Sequence, residues 1–182
     1  MRRQCFAAIF FFFYIVASCR AEYWLYAASA QDATNSASHS HTFATFIKTD
    51  DRTGKEVDRQ TISWMPRSMN IKVLRKIPEP GINLTIPQTL KWAKSVGDTV
   101  TIYGPYRISE DLYNRAKKKV EDLNSGKVKY IIRDRGRRPV ACNCIHAIAD
   151  LYAENGLLLT GTTRGDLATK LVIQHLRPFI RR

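Results

Sequence analysis

Hydrophobic and polar positions repeat with two different periods along this chain, which predicts a mixed fold. Alternation at period 2, rich in aromatic and β-branched residues, predicts strands over 22–29, 41–48, 59–65, 99–103 and 127–134. Apolar residues at helical spacing predict a short helix from Pro87 and longer helices over 110–123, 145–152 and 166–176. Segments 41–48 and 59–65 form a hairpin across a polar turn. The pattern predicts an α+β fold, a mostly antiparallel sheet with flanking helices.

The first eighteen residues follow another pattern. A short basic head precedes an almost wholly apolar run over 5–17, which is shorter than the roughly twenty residues of a membrane-spanning helix. This arrangement is typical of a secretory signal peptide, and residues 22–182 then make one domain. The run 16–19 resembles a bacterial lipobox, which predicts a lipid on Cys19 and attachment to a membrane. Cleavage after Ala21 would instead leave a secreted or periplasmic protein without a lipid, and both alternatives stay open.

Cys144 and His41 are the candidate reactive side chains. Asn143 stands where a helix N-cap is expected, so Cys144 would lie in the first turn, where free N–H groups and the helix dipole favour a thiolate. His41 shares one side of its predicted strand with Phe43, which suits a half-buried base. Cys142 is expected to be a buried thiol, because a bridge to Cys144 would close a small, strained ring; an easily reduced, regulatory bridge stays open.

The remaining histidines give weaker indications. His39 is expected in an exposed loop, with a role orienting His41 as the alternative, and His146 should point to another side of the helix from Cys144. Zinc ligands could come from these side chains, but their spacing matches no common metal finger, and we expect neither a metal nor a cofactor. The set that such a site would use is His39, His41, Cys142, Cys144 and His146.

The positive net charge of the chain indicates which kinds of partner it could bind. The net charge is +13, and the basic residues are spread along the chain instead of forming one block. We expect an anionic lipid or envelope polymer as a partner in preference to nucleic acid, because no nucleic-acid module or phosphate loop is recognisable.

The order of the motifs adds a resemblance. Ser40-His41-Thr42-Phe43 on a strand, followed much later by Asn143-Cys144 at the start of a helix, resembles the circularly permuted papain-like superfamily, which includes lecithin:retinol acyltransferase-like proteins. The whole domain is also similar to small exported bacterial proteins of planctomycete type. Those proteins carry similar Thr-Ile-Ser-Trp, Gly-Pro-Tyr and Asn-Cys-Ile-His-Ala segments.

The resemblance implies a cell-envelope cysteine hydrolase or acyltransferase that acts on amide or ester bonds through a thioester. Carried over to this chain, Cys144 attacks the carbonyl, His41 moves the proton, and Asn143 belongs to the same catalytic group. The third member should lie on the strand beside His41, where Thr61 and Ser63 are the polar candidates. The alternative is a non-catalytic basic protein of the same fold that binds an anionic lipid, a polymer or a protein partner.

Overall fold

The computed structural model describes residues 21–134, 138–153, 156–157 and 164–181. The predicted signal peptide over 1–18 and the predicted lipid acceptor Cys19 lie outside these residues. In the described ranges, none of the helices has both the length and the apolar character needed to cross a membrane.

The described residues form eight strands and four α-helices, and the first five elements are strands. The strands are β1 (Ala21–Gln31), β2 (His41–Asp50), β3 (Glu56–Ile62), β4 (Trp64–Pro66), β5 (Glu79–Asn83), β6 (Thr99–Arg107), β7 (Lys129–Tyr130) and β8 (Ala141–Cys142). The helices are α1 (Ile86–Ser95), α2 (Glu110–Asn124), α3 (Cys144–Ala149) and α4 (Gly165–His175), with a 3-10 turn at Arg177–Phe179. The α+β prediction, with a mostly antiparallel sheet and flanking helices, is confirmed.

The main sheet has the strand order β3-β2-β1-β6, and all its pairs are antiparallel. The predicted hairpin is β2 and β3, although it ends at Ile62. Beyond Ser63 the chain starts β4 in a smaller sheet of order β4-β5-β7-β8. In that sheet β7 and β8 are parallel, and β8 leads directly into α3.

The two faces of the main sheet are covered differently. Ala30 pairs with His41 and Trp24 with Ile47, so these side chains share one face, which we call the front face. Helix α1 covers only the His41 end of the front face. The back face is covered by α2, α3 and α4 and holds the larger core, which includes Leu25, Ala44, Phe46, Ile62, Leu112, Ile148 and Val172.

Two segments that contain the glycine and proline typical of turns belong to strands. The prediction that a strand ends at Tyr103 was wrong, because β6 continues to Arg107 through a bulge, with Tyr103 opposite Ala27 and Tyr106 opposite Leu25. Gly104 makes the bulge feasible, since it has φ +113° and a Cβ there would lie 2.6 Å from the carbonyl oxygen of Leu25.

The second such segment is the stretch 78–81, whose prolines and glycine are typical of a turn or linker. It begins β5, which pairs with β4 on one side and β7 on the other. Gly81 is needed here because a Cβ at this position would lie 1.9 Å from Cζ2 of Trp64, whose side chain is fully buried.

We therefore expect Gly81→Ala to destabilise the protein by about 1–3 kcal/mol, because the indole of Trp64 has to move out of a close-packed core. The near-ultraviolet circular dichroism signal of the tryptophans should change together with the urea midpoint. Gly126→Ala is the control, because Gly126 also has a positive φ (+77°) but an added Cβ would meet no atom within 4 Å. Gly126→Ala should lower the stability of the protein through backbone strain without altering the circular dichroism signal of the tryptophans. An unchanged signal and midpoint in Gly81→Ala would contradict this packing account.

Candidate active site

Asn143 and Cys144 form the start of α3 as predicted. Asn143 caps the helix by accepting a hydrogen bond of 2.8 Å from the backbone N–H of His146. Its Nδ2 donates to the carbonyl oxygen of Ile132 at 3.0 Å, which ties the helix start to the segment after β7. The helix ends at Ala149, earlier than the apolar stripe suggested, so Cys144 opens a helix of six residues.

His146 takes part in a second set of contacts beside the helix start. Its Nδ1 lies 2.7 Å from Oδ2 of Asp134, and its Nε2 lies 3.1 Å from the carbonyl oxygen of Leu157. Both ring nitrogens are thus occupied by structural contacts, which leaves His146 unavailable as a base for Cys144. Asp134 also accepts from the backbone N–H of Asn143 at 3.2 Å, so this carboxylate anchors the turn before the cysteine.

The other end of α3 is fixed by an ion pair. Arg138 and Asp150 are 2.7 Å apart, with side chains only 4% and 2% exposed. Burial raises the pKa of Asp150, while the neighbouring Arg138 and Lys119 charges lower it. Removing one partner of such a pair leaves an uncompensated buried charge, so the pair holds α3 in position.

His41 opens β2 and is completely buried. Its ring stacks on Phe43 at 5.7 Å between centroids and meets the edge of Trp92 at 5.6 Å. Nε2 lies 2.8 Å from Oγ of Ser63. Burial lowers the pKa of His41 to about 3, because water no longer stabilises the imidazolium. The ring is therefore neutral at physiological pH.

A chain of hydroxyl groups determines which nitrogen of His41 carries the proton. Thr89 donates its hydroxyl proton to the carbonyl oxygen of Thr85 at 2.9 Å. Ser63 Oγ lies 2.7 Å from Thr89 Oγ1 and must be the donor there, because each hydroxyl has one proton. Ser63 can then only accept from His41, so Nε2 is protonated. Nδ1 is left with a lone pair and has no hydrogen-bond partner among the described residues.

The thiol of Cys144 lies beside the same end of β2. Burial raises the pKa of Cys144 to about 11, while the backbone N–H groups of Thr42, Ile145 and Cys144 itself act in the opposite direction. The expectation of a thiolate was therefore wrong, because α3 is short and the residue is only 5% exposed. Since the Thr42 amide contacts the sulfur, Cys144 lies at the peptide bond that joins His41 to Thr42.

Of the two hydroxyl residues proposed for the third position, only Ser63 contacts His41. Thr61 lies 3.4 Å from the hydroxyl of Thr45 instead. Sequence reasoning missed Thr89, because the predicted helix turned Leu90 inward, whereas Leu90 is 42% exposed and Thr89 is fully buried. It missed Asp134 too, since no local pattern marks it as a partner of His146.

The other candidates lie elsewhere. His39 is half-exposed and has its Nδ1 3.1 Å from Oδ2 of Asp32 in the loop before β2, so it does not orient His41. Cys142 is a free, buried thiol whose pKa is raised by burial to about 12. Over the part of the chain that the structure describes, His, Cys, Asp and Glu side chains do not come together in groups of three that could hold a metal ion.

The buried ring gives a pH dependence of stability. Folded His41 stays neutral down to about pH 3, whereas the unfolded residue takes up a proton below its ordinary pKa of 6.5. In this window the unfolded state binds more protons than the folded state, so protonation stabilises the unfolded state. The free energy of unfolding therefore falls as the pH falls from 6.5, by up to about 1.4 kcal/mol per pH unit.

The measurement is urea unfolding of the wild type and of His41→Gln between pH 7 and pH 5. The difference in free energy between the two proteins should shrink steadily as the pH falls, because only the wild type carries the buried ring. A difference that stays constant over this range would show that His41 is accessible to protons in the folded protein.

Comparison with protein-family models, with curated proteins and with solved structures gives no match to this chain. The chemistry of the site therefore rests on its own contacts. Its features are a buried thiol that contacts the Thr42 amide, the buried imidazole of the preceding residue with one nitrogen unpartnered among the described residues, and a hydroxyl chain that fixes the tautomer of that ring.

Proposed function

We propose that the protein is a cysteine hydrolase or acyltransferase in which Cys144 is the nucleophile and His41 the general base. The observation that carries the proposal is a buried His41 Nδ1 without a partner among the described residues, in the residue that directly precedes the Thr42 amide in contact with the sulfur of Cys144. A buried acceptor without a partner is costly in a folded protein, so it suits a role in which a proton arrives during the reaction. The resemblance to permuted papain-like proteins agrees with this assignment.

In the proposed reaction both groups begin neutral. As the sulfur attacks an amide or ester carbonyl, the thiol proton moves to Nδ1 and a bond forms between sulfur and carbon. Nδ1 then gives this proton to the departing amine or alcohol, which leaves a thioester on Cys144. Water, or an acceptor alcohol or amine, loses a proton to Nδ1 while it attacks the thioester, and the thiol recovers that proton on release.

Two further groups support the chemistry. Ser63 accepts from Nε2 in the neutral ring and in the imidazolium alike, so it can hold the ring in one orientation throughout. The backbone N–H groups of Cys144 and Ile145 adjoin the sulfur at the start of α3 and would donate to the oxyanion. One such donor is often worth roughly 3 kcal/mol of transition-state stabilisation.

The proposed substrates are amide- or ester-bearing molecules of the cell envelope. This part rests on the signal-like N-terminal sequence, which favours a secreted or periplasmic protein, tethered to a membrane where Cys19 receives a lipid. The raised pKa of Cys144 (about 11) and its burial favour a second candidate, a non-catalytic protein that uses its positive charge to bind anionic lipid or polymer. The two differ in whether Cys144 can be acylated.

Incubation with an activated ester such as p-nitrophenyl acetate should transfer one acyl group to Cys144, located by fragment mass spectrometry. Cys144→Ala should abolish this adduct, and His41→Gln should slow its formation about 10²- to 10⁴-fold, the usual contribution of a general base. Cys142→Ala is the matched control and should retain the adduct.

Iodoacetamide should react slowly at pH 7 in the wild type, because the resting thiol is neutral and buried. Failure of Cys144 to acylate, with saturable, salt-sensitive binding to anionic vesicles, would favour the binding protein.

The hydroxyl chain gives a separate prediction. Nitrogen-15 NMR of the folded wild type should show Nε2–H as the tautomer of His41, because Ser63 donates its only proton to Thr89 and can only accept from His41. In Thr89→Val the Ser63 hydroxyl loses its acceptor, so we expect both tautomers to be populated and acylation of Cys144 to slow. Thr45→Val removes a hydroxyl that contacts Thr61 and serves as the control. A ring protonated at Nδ1 in the wild type would contradict the assignment of the base.

A further inference from the structure

We infer that the half of the front face that no other described element covers binds a neutral carbohydrate chain. A cleft of about 400 Å³ lies there, within the range of small-ligand sites. Its apolar floor, which we call the aromatic platform, consists of Trp24, Tyr26, Ile47 and Pro105, and its polar rim contains Glu22, Thr49 and Glu56. Sugars match such a surface because one side of a pyranose ring presents C–H groups and its edge presents hydroxyls.

The platform is preorganised. Trp24 and Tyr26 are alternate residues of β1, so their side chains leave the sheet on the same face, about 7 Å apart along the strand. Nε1 of Trp24 donates to Oγ1 of Thr49 on the neighbouring strand at 3.2 Å, which holds the indole in position. Both rings are partly exposed. A ligand would therefore meet aromatic surfaces that lose little conformational freedom on binding.

Charge at the rim favours a neutral ligand. Glu22 pairs with Arg107 at 2.7 Å, and Glu56 pairs with Arg59 at 2.6 Å, so both carboxylates of the cleft are compensated. Despite the net charge of +13, the residues described as lining this cleft, together with the two arginines that pair with them, give no excess of positive charge to a polyanion. Ion pairs at a rim present fixed donors and acceptors to hydroxyl groups, as a polar sugar edge requires.

The platform is separate from the candidate active site. Along β2, Ile47 is about 20 Å from His41, and Tyr26 pairs with Thr45, which is about 13 Å from His41 at roughly 3.3 Å per residue. Carbohydrate binding at the platform therefore does not depend on the proposed reaction, and it should be unchanged in Cys144→Ala.

Tryptophan fluorescence of the full chain tests the inference. The chain has three tryptophans, and Trp64 and Trp92 are only 0% and 6% exposed, so acrylamide should quench mainly Trp24. Titration with cellohexaose or chitohexaose should protect Trp24 from acrylamide in a saturable manner. Trp24→Ala should weaken binding, followed by calorimetry, by ten-fold or more, whereas Trp24→Phe should retain part of it. Tyr152→Ala, at an exposed aromatic outside the cleft, should leave binding unchanged.

Several results would overturn the inference. The first is absence of saturable protection by either oligosaccharide at millimolar concentration. The second is calorimetric binding that survives in Trp24→Ala while circular dichroism shows that variant to be folded. The third is heparin protecting Trp24 better than the neutral sugars do, which would indicate a polyanion site. Protection that grows with protein concentration alone would show that a second copy of the chain covers the platform.

Discussion

The hydrogen bond between His41 and Ser63 is the contact on which the candidate site depends. Ser63 occupies the junction where the chain leaves β3 in the main sheet and enters β4 in the smaller one. Its hydroxyl reaches His41 on β2 and Thr89 on α1, so one buried group joins both sheets and the helix on the front face. Burying a polar group costs free energy unless the group is hydrogen-bonded. The junction and the orientation of the histidine ring are therefore determined together.

That arrangement also sets the electrostatics of the pair. Complete burial lowers the pKa of His41, and burial raises the pKa of Cys144. Both pKa shifts therefore oppose a resting thiolate–imidazolium pair. A neutral pair has a cost as a nucleophile, because the proton has to move during the attack. It also has a benefit, since a buried neutral thiol is protected from oxidants and alkylating agents. The proposed enzyme would be inert until a substrate carbonyl reaches the sulfur.

Local features of the sequence could be predicted, while contacts between distant segments could not. Asn143 and Ser109 are recognisable as helix caps because the cap residue bonds to an N–H only three positions away. The β2–β3 hairpin follows from alternation on either side of a polar turn. β5 was hidden because prolines and a glycine indicate a turn, and only its pairing with β4 and β7 makes it a strand.

The same distinction applies to the site. Cys144 and His41 were proposed from their types and their places in the predicted elements, and Ser63 from the resemblance to permuted papain-like proteins. Thr89 and Asp134 were not, because each acquires its role from a partner that is distant in sequence, Ser63 for one and His146 for the other. The thiol pKa was misjudged for a related reason. The helix start is visible in the sequence, whereas burial against β2 depends on the whole fold.

The front face shows how one strand can divide a sheet between two uses. Along β1 the residues on this face are small at one end, Ala30 and Ala28, and aromatic at the other, Tyr26 and Trp24. Small side chains let α1 pack closely over His41, which encloses the ring and produces the lowered pKa. The large rings at the other end stay partly exposed. The side-chain sizes along β1 therefore account for an enclosed histidine ring and a partly exposed aromatic platform on the same face of the sheet.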